Sequence, residues 1–243
     1  MRRTLLIVLC AVWACAPQAS QLERVALADS VRRTLEPVVA AGAQDGSSLR
    51  LDMDALYAPL DARQRAFLDE IQSLAESPNP PPATGVDWRL LEGQVVRGPE
   101  GETTLPPQFL PLPVWRAYDA MSRLMEEELG TRLLVGSGYR SPAYQLFVFV
   151  SYLPVADYSF DETLQHVSLP SEHSQPTRQG LDFVSEAGVD LYYSDAARFE
   201  RLPEYAWLLS HAARFGFAQS VPDEASAHSP WHWHYDPSLV GSP

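Results

Sequence analysis

Residues 168–183 read SLPSEHSQPTRQGLDF. Asp182 stands there between Leu181 and Phe183, inside a run, Gly180–Val184, that reads as a short apolar strand. An ionised carboxylate among such neighbours is costly unless a cation or strong donors face it. His173 precedes the Asp by nine residues, and His166–Leu169 reads as a second short strand. A hairpin through the polar loop between these strands sets His173 beside Asp182 and offers one nitrogen and one oxygen ligand. On this stretch alone the alternative, an Asp satisfied by loop amides, stays open.

Two other stretches change the odds. Trp231-His232-Trp233-His234-Tyr235 reads as a strand, and residues two apart on a strand project to one face, so both His can look into one site. Gly136-Ser137-Gly138-Tyr139-Arg140-Ser141-Pro142 is a glycine-flexed turn from strand to helix with Arg140 at its mouth. The guanidinium is a planar fork of donors suited to a carboxylate or a developing oxyanion. Two His, one Asp and a position left for water describe an open, catalytic zinc site rather than a closed structural one. The same donor types also make the triad of non-haem iron oxygenases. Those sites sit in double-sheet barrels with more alternating strands than this chain offers.

Around these stretches the sequence alternates helices and short strands. Leu22 to Val39 carries an amphipathic signal through Leu22, Val25, Ala26, Leu35 and Val39, with Pro37 expected to fray its end. Asp61 can cap a helix whose stripe is Phe67, Leu68, Ile71, Leu74 and Ala75. Residues 77–85, SPNPPPATG, hold four prolines in nine positions and form a stiff boundary. Beyond it, Val114, Tyr118, Met121, Met125 and Leu129 share a helical face that Gly130 can close. Leu133–Ser137 reads as a strand, and Ser141-Pro142 starts a helix running to Tyr152. Pro203 opens a helix stopped by Gly216, and Phe217–Val221 joins Trp231–Tyr235 as closing strands. Glu126–Glu128 reads as a solvated face and His211 as a packing or surface residue. This order predicts an α+β fold: a small antiparallel sheet flanked by helices, with an N-terminal helical appendage. The expected divisions are a signal peptide at 1–19, a helical region at 20–76, the linker at 77–85 and the site-bearing domain at 86–243.

The chain has 243 residues, 46% hydrophobic and 20% charged, enough for one medium domain with a substantial core. All 18 basic residues are Arg, against 31 acidic ones, for a formal net charge of -13. So acidic a chain argues against nucleic acid and anionic lipid as partners. Arg2 and Arg3 precede the apolar run LLIVLCAVWA, Leu5 to Ala14, too short to span a bilayer and typical of a secretory signal. Export to the periplasm or envelope is therefore expected. Both cysteines, Cys10 and Cys15, lie in this segment, so the domain beyond it has no internal disulfide. Val12-Trp13-Ala14-Cys15 resembles a bacterial lipobox, in which the Cys is lipidated. A lipid anchor there is the one membrane attachment expected, and it stands beside soluble export.

GSGYRSPAYQ (136–145), SLPSEHSQPTRQGLDF (168–183), WLLSHAARFGF and PWHWHY together resemble, in order, the motifs of the VanY-type D-alanyl-D-alanine carboxypeptidases. The resemblance spans roughly residues 86–240 and implies the Hedgehog/D-Ala-D-Ala peptidase type of fold. It implies that His173, Asp182 and His232 bind Zn2+ and that Arg140 stabilises substrate and transition state. Gln145 and Ser171 become contributors to the substrate pocket, and peptidoglycan stem peptides the partner and substrate. Two departures stand out. The interval from His to Asp is two residues longer than the family's, and the family's catalytic Glu, three residues before the last His, is here Ser229. Asp223, Glu224, His228 and His234 lie near that position without its spacing. An active zinc peptidase and a catalytically impaired relative that binds wall peptides or a partner are both consistent with this pattern.

Overall fold

The computed structural model describes residues 16–75, 80, 83–98, 101–220 and 229–240. The residues expected to form the apolar signal core and Cys15 lie outside them, as does most of the Pro-rich boundary. No helix among the described residues is long and apolar enough to cross a membrane.

Helix α1, Ala16–Ala41, carries a buried stripe of Ala28, Val31, Leu35 and Val39, at helical spacing. The stripe differs from the expected one: Leu22 is 70% exposed. Nor does Pro37 end the helix, which runs one turn beyond it. Proline forfeits one backbone hydrogen bond and crowds the preceding turn, but burial of Leu35 and Val39 on either side of Pro37 holds the helical path. A short helix α2, Met53–Tyr57, leads to α3, Ala62–Gln72. At the start of α3, Asp61 and Gln64 form a reciprocal capping box. The Gln64 amide also donates to Ser30 and Thr34 at 3.0 Å each, tying α3 to α1.

Four short strands that sequence periodicity did not reveal come next: β1 Trp88–Leu91, β2 Val95–Gly98, β3 Gly101–Thr104 and β4 Gln108–Pro111. They pair antiparallel as β1 with β4 and β2 with β3. Helix α4, Leu112–Leu129, buries Val114, Tyr118, Met121 and Met125 and ends at Gly130 in the left-handed region, φ 71°. Leu129, expected on the same face, is 40% exposed. Glu126–Glu128 are exposed, as expected, and Glu128 also accepts the Trp207 indole N–H at 2.6 Å.

The remaining elements are β5 Leu134–Ser137, α5 Pro142–Tyr152, α6 Phe160–Leu164, β6 Gly180–Val184, α7 Ala196–Phe199, α8 Pro203–His211, β7 Phe217–Gln219 and β8 His232–Tyr235. Four of these make one antiparallel sheet, in order β5-β6-β8-β7. The fold is thus α+β, as the element order predicts. His166–Leu169 is not a strand; it follows α6 as a turn. The alternation of Val167 and Leu169 reflects burial against α5 rather than sheet pairing.

Two apolar cores result. One lies between the sheet and α4 with α8, and includes Leu181, Phe183, Phe217, Trp233, Met121 and Leu208. The other joins the N-terminal helices to α5, through Val31, Leu35, Leu68 and Ile71 against Leu146, Phe149 and Val150. The N-terminal region is therefore packed onto the helix that follows Arg140. Backbone contact extends this: Ser141 N–H, at the cap of α5, donates to the Leu49 carbonyl at 2.8 Å.

Phe149 is fully buried at the centre of the second core. Phe149→Ala is expected to cost about 3–5 kcal/mol, read as a lowered urea midpoint. A loss under about 1 kcal/mol, within the range of tolerated repacking, would show that the N-terminal helices and α5 are not one cooperative unit.

Candidate metal centre

The sheet's period of two divides its residues between the faces. Leu181, Phe183 and Trp233 enter the apolar core, so Asp182 and His232 point the other way. They are direct cross-strand partners, as β6 and β8 pair Asp182 with His232 and Leu181 with Trp233. Ser137 of β5 faces Asp182 from the opposite side. The sequence places the carboxylate and the histidine in separate motifs, and antiparallel register joins them.

His173 arrives differently. It does not come from the expected hairpin but from a single 3-10 turn, Glu172–Ser174. Ser171 caps this turn by accepting the His173 N–H at 3.2 Å. The turn can lie against β6 because residue 180 is glycine. A Cβ there would sit 2.7 Å from the Glu172 Cβ and 2.9 Å from the His173 nitrogen. Gly138 does the same for the other approach, where a Cβ would lie 2.6 Å from the Phe109 carbonyl.

His173, Asp182 and His232 form a group able to hold a metal ion, with one ligand atom of each lying within 4.8 Å of the others. Which atoms face inward follows from what the other atoms do. His173 Nδ1 lies 2.8 Å from the Gly138 carbonyl, to which it donates, leaving Nε2 3.6 Å from Asp182 Oδ1. Asp182 Oδ2 accepts from Tyr192 at 2.6 Å and Tyr193 at 2.9 Å, leaving Oδ1 toward the histidines. His232 Nδ1 lies 2.7 Å from that Oδ1, while its Nε2 lies 3.1 Å from Glu172 Oε2. Such outer partners orient metal ligands.

Asp182 is 1% exposed. Burial pushes its carboxyl up, but its partners His173 and His232 outweigh this and hold it well below the usual carboxylate range. Burial and the Arg140 charge lower His173 to about 4, so it is neutral. Burial also disfavours the charged form of His232, yet hydrogen bonds to Asp182 and Glu172 push it up to about 9. The His232 hydrogen bond in turn lowers Glu172 to about 2.

Arg140 lies beside this group. Its Nε and Nη2 donate to Ser137 Oγ at 2.9 and 2.6 Å, and Nη2 is 3.9 Å from Asp182 Oδ2. Gln145 and Ser171 are each 3% exposed. The Gln145 amide donates to the Ser168 carbonyl at 3.1 Å, fastening α5 to the loop before His173. His234 shares the His232 face but pairs across from Gly180 and bonds to Ser220 Oγ at 3.1 Å, outside the metal-capable group. Asp223, Glu224 and His228 lie outside the described residues. Ser229 accepts the His232 N–H through its carbonyl at 3.0 Å. Sequence reasoning missed Tyr192, Tyr193, Ser220 and any role for Glu172. The tyrosine doublet just beyond β6 was the one available hint.

A family model described as VanY, D-alanyl-D-alanine carboxypeptidase, matches residues 111–238, more than half the chain and all the residues of this group. The chain belongs to the VanY family. No curated protein matches this VanY-family chain. Among solved structures it is similar to the LdcB LD-carboxypeptidase at 21% identity and TM-score 0.45, covering 54% of this chain and 62% of that one. It is similar to VanYB in complex with D-alanine-D-alanine at 20% identity and TM-score 0.44, covering 65% and 81%. A variant of the D,D-pentapeptidase VanY in complex with Zn(II) aligns at 20% identity and TM-score 0.40, covering 58% and 77%.

The contact over Gly180 gives a test. Gly180→Ala forces the Glu172–Ser174 turn off β6, at an expected cost of about 1–3 kcal/mol for overpacking, with an unchanged far-UV spectrum. A urea midpoint equal to that of the unaltered protein would show that the turn does not rest on this strand.

Proposed function

We propose that this protein is an exported zinc peptidase of the bacterial cell wall that hydrolyses peptidoglycan stem peptides in the manner of a D-alanyl-D-alanine carboxypeptidase. The observation that carries the reading is the convergence of two imidazoles and one carboxylate within 4.8 Å, beside the partly buried Arg140 guanidinium, in a chain of the VanY family. The donor set suits zinc: two nitrogens and one oxygen leave a fourth position open. An iron oxygenase triad finds no support, because the sheets among the described residues are one of four strands and two of two, not a double-sheet barrel.

His173 Nε2, Asp182 Oδ1 and His232 Nδ1 would hold the ion. When bound, zinc acts as a Lewis acid and lowers the pKa of its water toward about 7. The chain supplies the rest. Arg140, braced by Ser137, offers its remaining donors to the scissile carbonyl oxygen and the charge that develops there. Its orientation is fixed in advance by the Ser137 hydroxyl, and preorganised donors lose little in reorganisation during reaction. Gln145 and Ser171 contribute to the peptide pocket chiefly by holding its wall, since both are buried in hydrogen bonds with the loop that leads to His173. Arg2, Arg3 and the apolar run that follows supply the export signal, with Cys15 as the candidate lipid anchor.

Ser229 favours a second reading. A serine hydroxyl does not act as a general base near neutral pH without activation, and general-base help contributes about 10²–10⁴-fold. A chain that holds the metal and binds wall peptides without cutting them is consistent with that residue.

Purified full-length protein incubated with a panel of muropeptides is expected to release D-alanine or a stem fragment, detected by mass spectrometry. Release should fall to background with a chelator and in His173→Ala. Stoichiometric zinc with an intact panel would sink the enzyme reading. In that event Ser229→Glu distinguishes a retired enzyme, by activity gained from none.

A further inference from the structure

The conformation of His232 has a cause outside the metal-capable group. A neutral imidazole carries one N–H, and an ionised carboxylate can only accept. Glu172 Oε2 stands 3.1 Å from His232 Nε2, on the ring edge away from Nδ1. The carboxylate is braced in turn: Ser220 Oγ donates to the same oxygen at 2.7 Å. Ser220 Oγ also lies 3.1 Å from His234 Nδ1, and His234 Nε2 lies 3.1 Å from Arg178 Nη2. The Glu172 backbone is fixed by its seat on Gly180. A chain of contacts through Ser220, His234 and Arg178 thus stands behind Glu172, which alone meets the far ring edge of His232.

We propose that Glu172 is the positioning residue of this site: it accepts the Nε2–H of His232 and so commits the Nδ1 lone pair to the metal. The inference rests on the zinc reading above and adds to it a residue with no metal contact. It also gives Glu172 a role other than that of the missing base, because its carboxylate faces the ring edge opposite the ligand atom. Ser220 is the brace of Glu172, and His234, rather than serving as a ligand, supports Ser220. The arrangement mirrors His173, whose Nδ1 is engaged by the Gly138 carbonyl so that Nε2 faces inward.

The test measures Zn2+ affinity of the full chain by competition with a chromophoric chelator, together with long-range 1H–15N spectra of the zinc-loaded protein. Outer partners of ligating histidines are worth about 10–100-fold in metal affinity. Glu172→Ala is expected to lose that much and to disturb the Nε2–H pattern of His232. Glu172→Gln, which keeps an acceptor oxygen, should recover most of the affinity and the unaltered pattern. Ser220→Ala, which removes only the brace, should show a smaller loss in the same direction. Unchanged affinity and tautomer in Glu172→Ala overturn the proposal and leave the metal site standing. Equal losses in Glu172→Gln and Glu172→Ala overturn it as well, since an acceptor would then not be the determinant. Failure of the unaltered protein to bind zinc overturns the metal reading itself, and this inference with it.

Discussion

A carboxylate buried on the central strand of a small sheet must be neutralised by something, and the organisation of this protein around Asp182 follows from that requirement. Removal of an ion from water costs several kcal/mol even after relaxation. Asp182 meets two phenolic hydroxyls on one oxygen and two imidazoles on the other, with the Arg140 guanidinium 3.9 Å from the first. These partners come from four places in the chain: the turn after β5, the turn before β6, the loop after β6, and β8 directly opposite, while β6 itself carries the charge. A site so assembled cannot form piecemeal. Its electrostatics favour the complete arrangement and penalise any state in which Asp182 is buried without its partners.

The same requirement explains the glycines. Antiparallel pairing brings Asp182 and His232 together with no special residues, because register alone puts them opposite. His173 belongs to no strand and must be lowered onto the sheet as a turn. That demands a bare backbone beneath it at Gly180, and a close approach of the Gly138 segment to β4. Gly138 then supplies the carbonyl that orients His173. Sequence, packing and ligand orientation meet in these two residues.

The parts of this arrangement legible in the sequence were those governed by local chemistry or strong periodicity. Asp182 within an apolar run announced a compensated charge, the Trp-His alternation announced a strand face, and Ser141-Pro142 announced a helix start. What stayed hidden lacked a periodic trace. β3, Gly101–Thr104, is exposed along its whole length, so no apolar alternation marks it. Val167 and Leu169 did alternate, and misled, because burial against α5 selects the same pattern as a sheet. The expected hairpin failed for a related reason: the nine-position step from His173 to Asp182 accommodates 3-10 turns at Glu172–Ser174 and Pro176–Arg178, which spacing alone does not distinguish from a strand return. Ser220 left no trace, and the Tyr192-Tyr193 doublet only a faint one, because their roles depend on tertiary approach rather than on neighbours in the chain.

Ser229 is compatible with all of this because of where residue 229 contributes to the frame. Its carbonyl receives the His232 N–H, a main-chain contact that any residue at that position supplies. The orientation of His232 is set instead from the far side of the ring, through Glu172 and Ser220. A carboxylate-bearing residue at position 229 would offer the same backbone carbonyl to the His232 N–H, so this main-chain contact does not itself discriminate between Ser and Glu there.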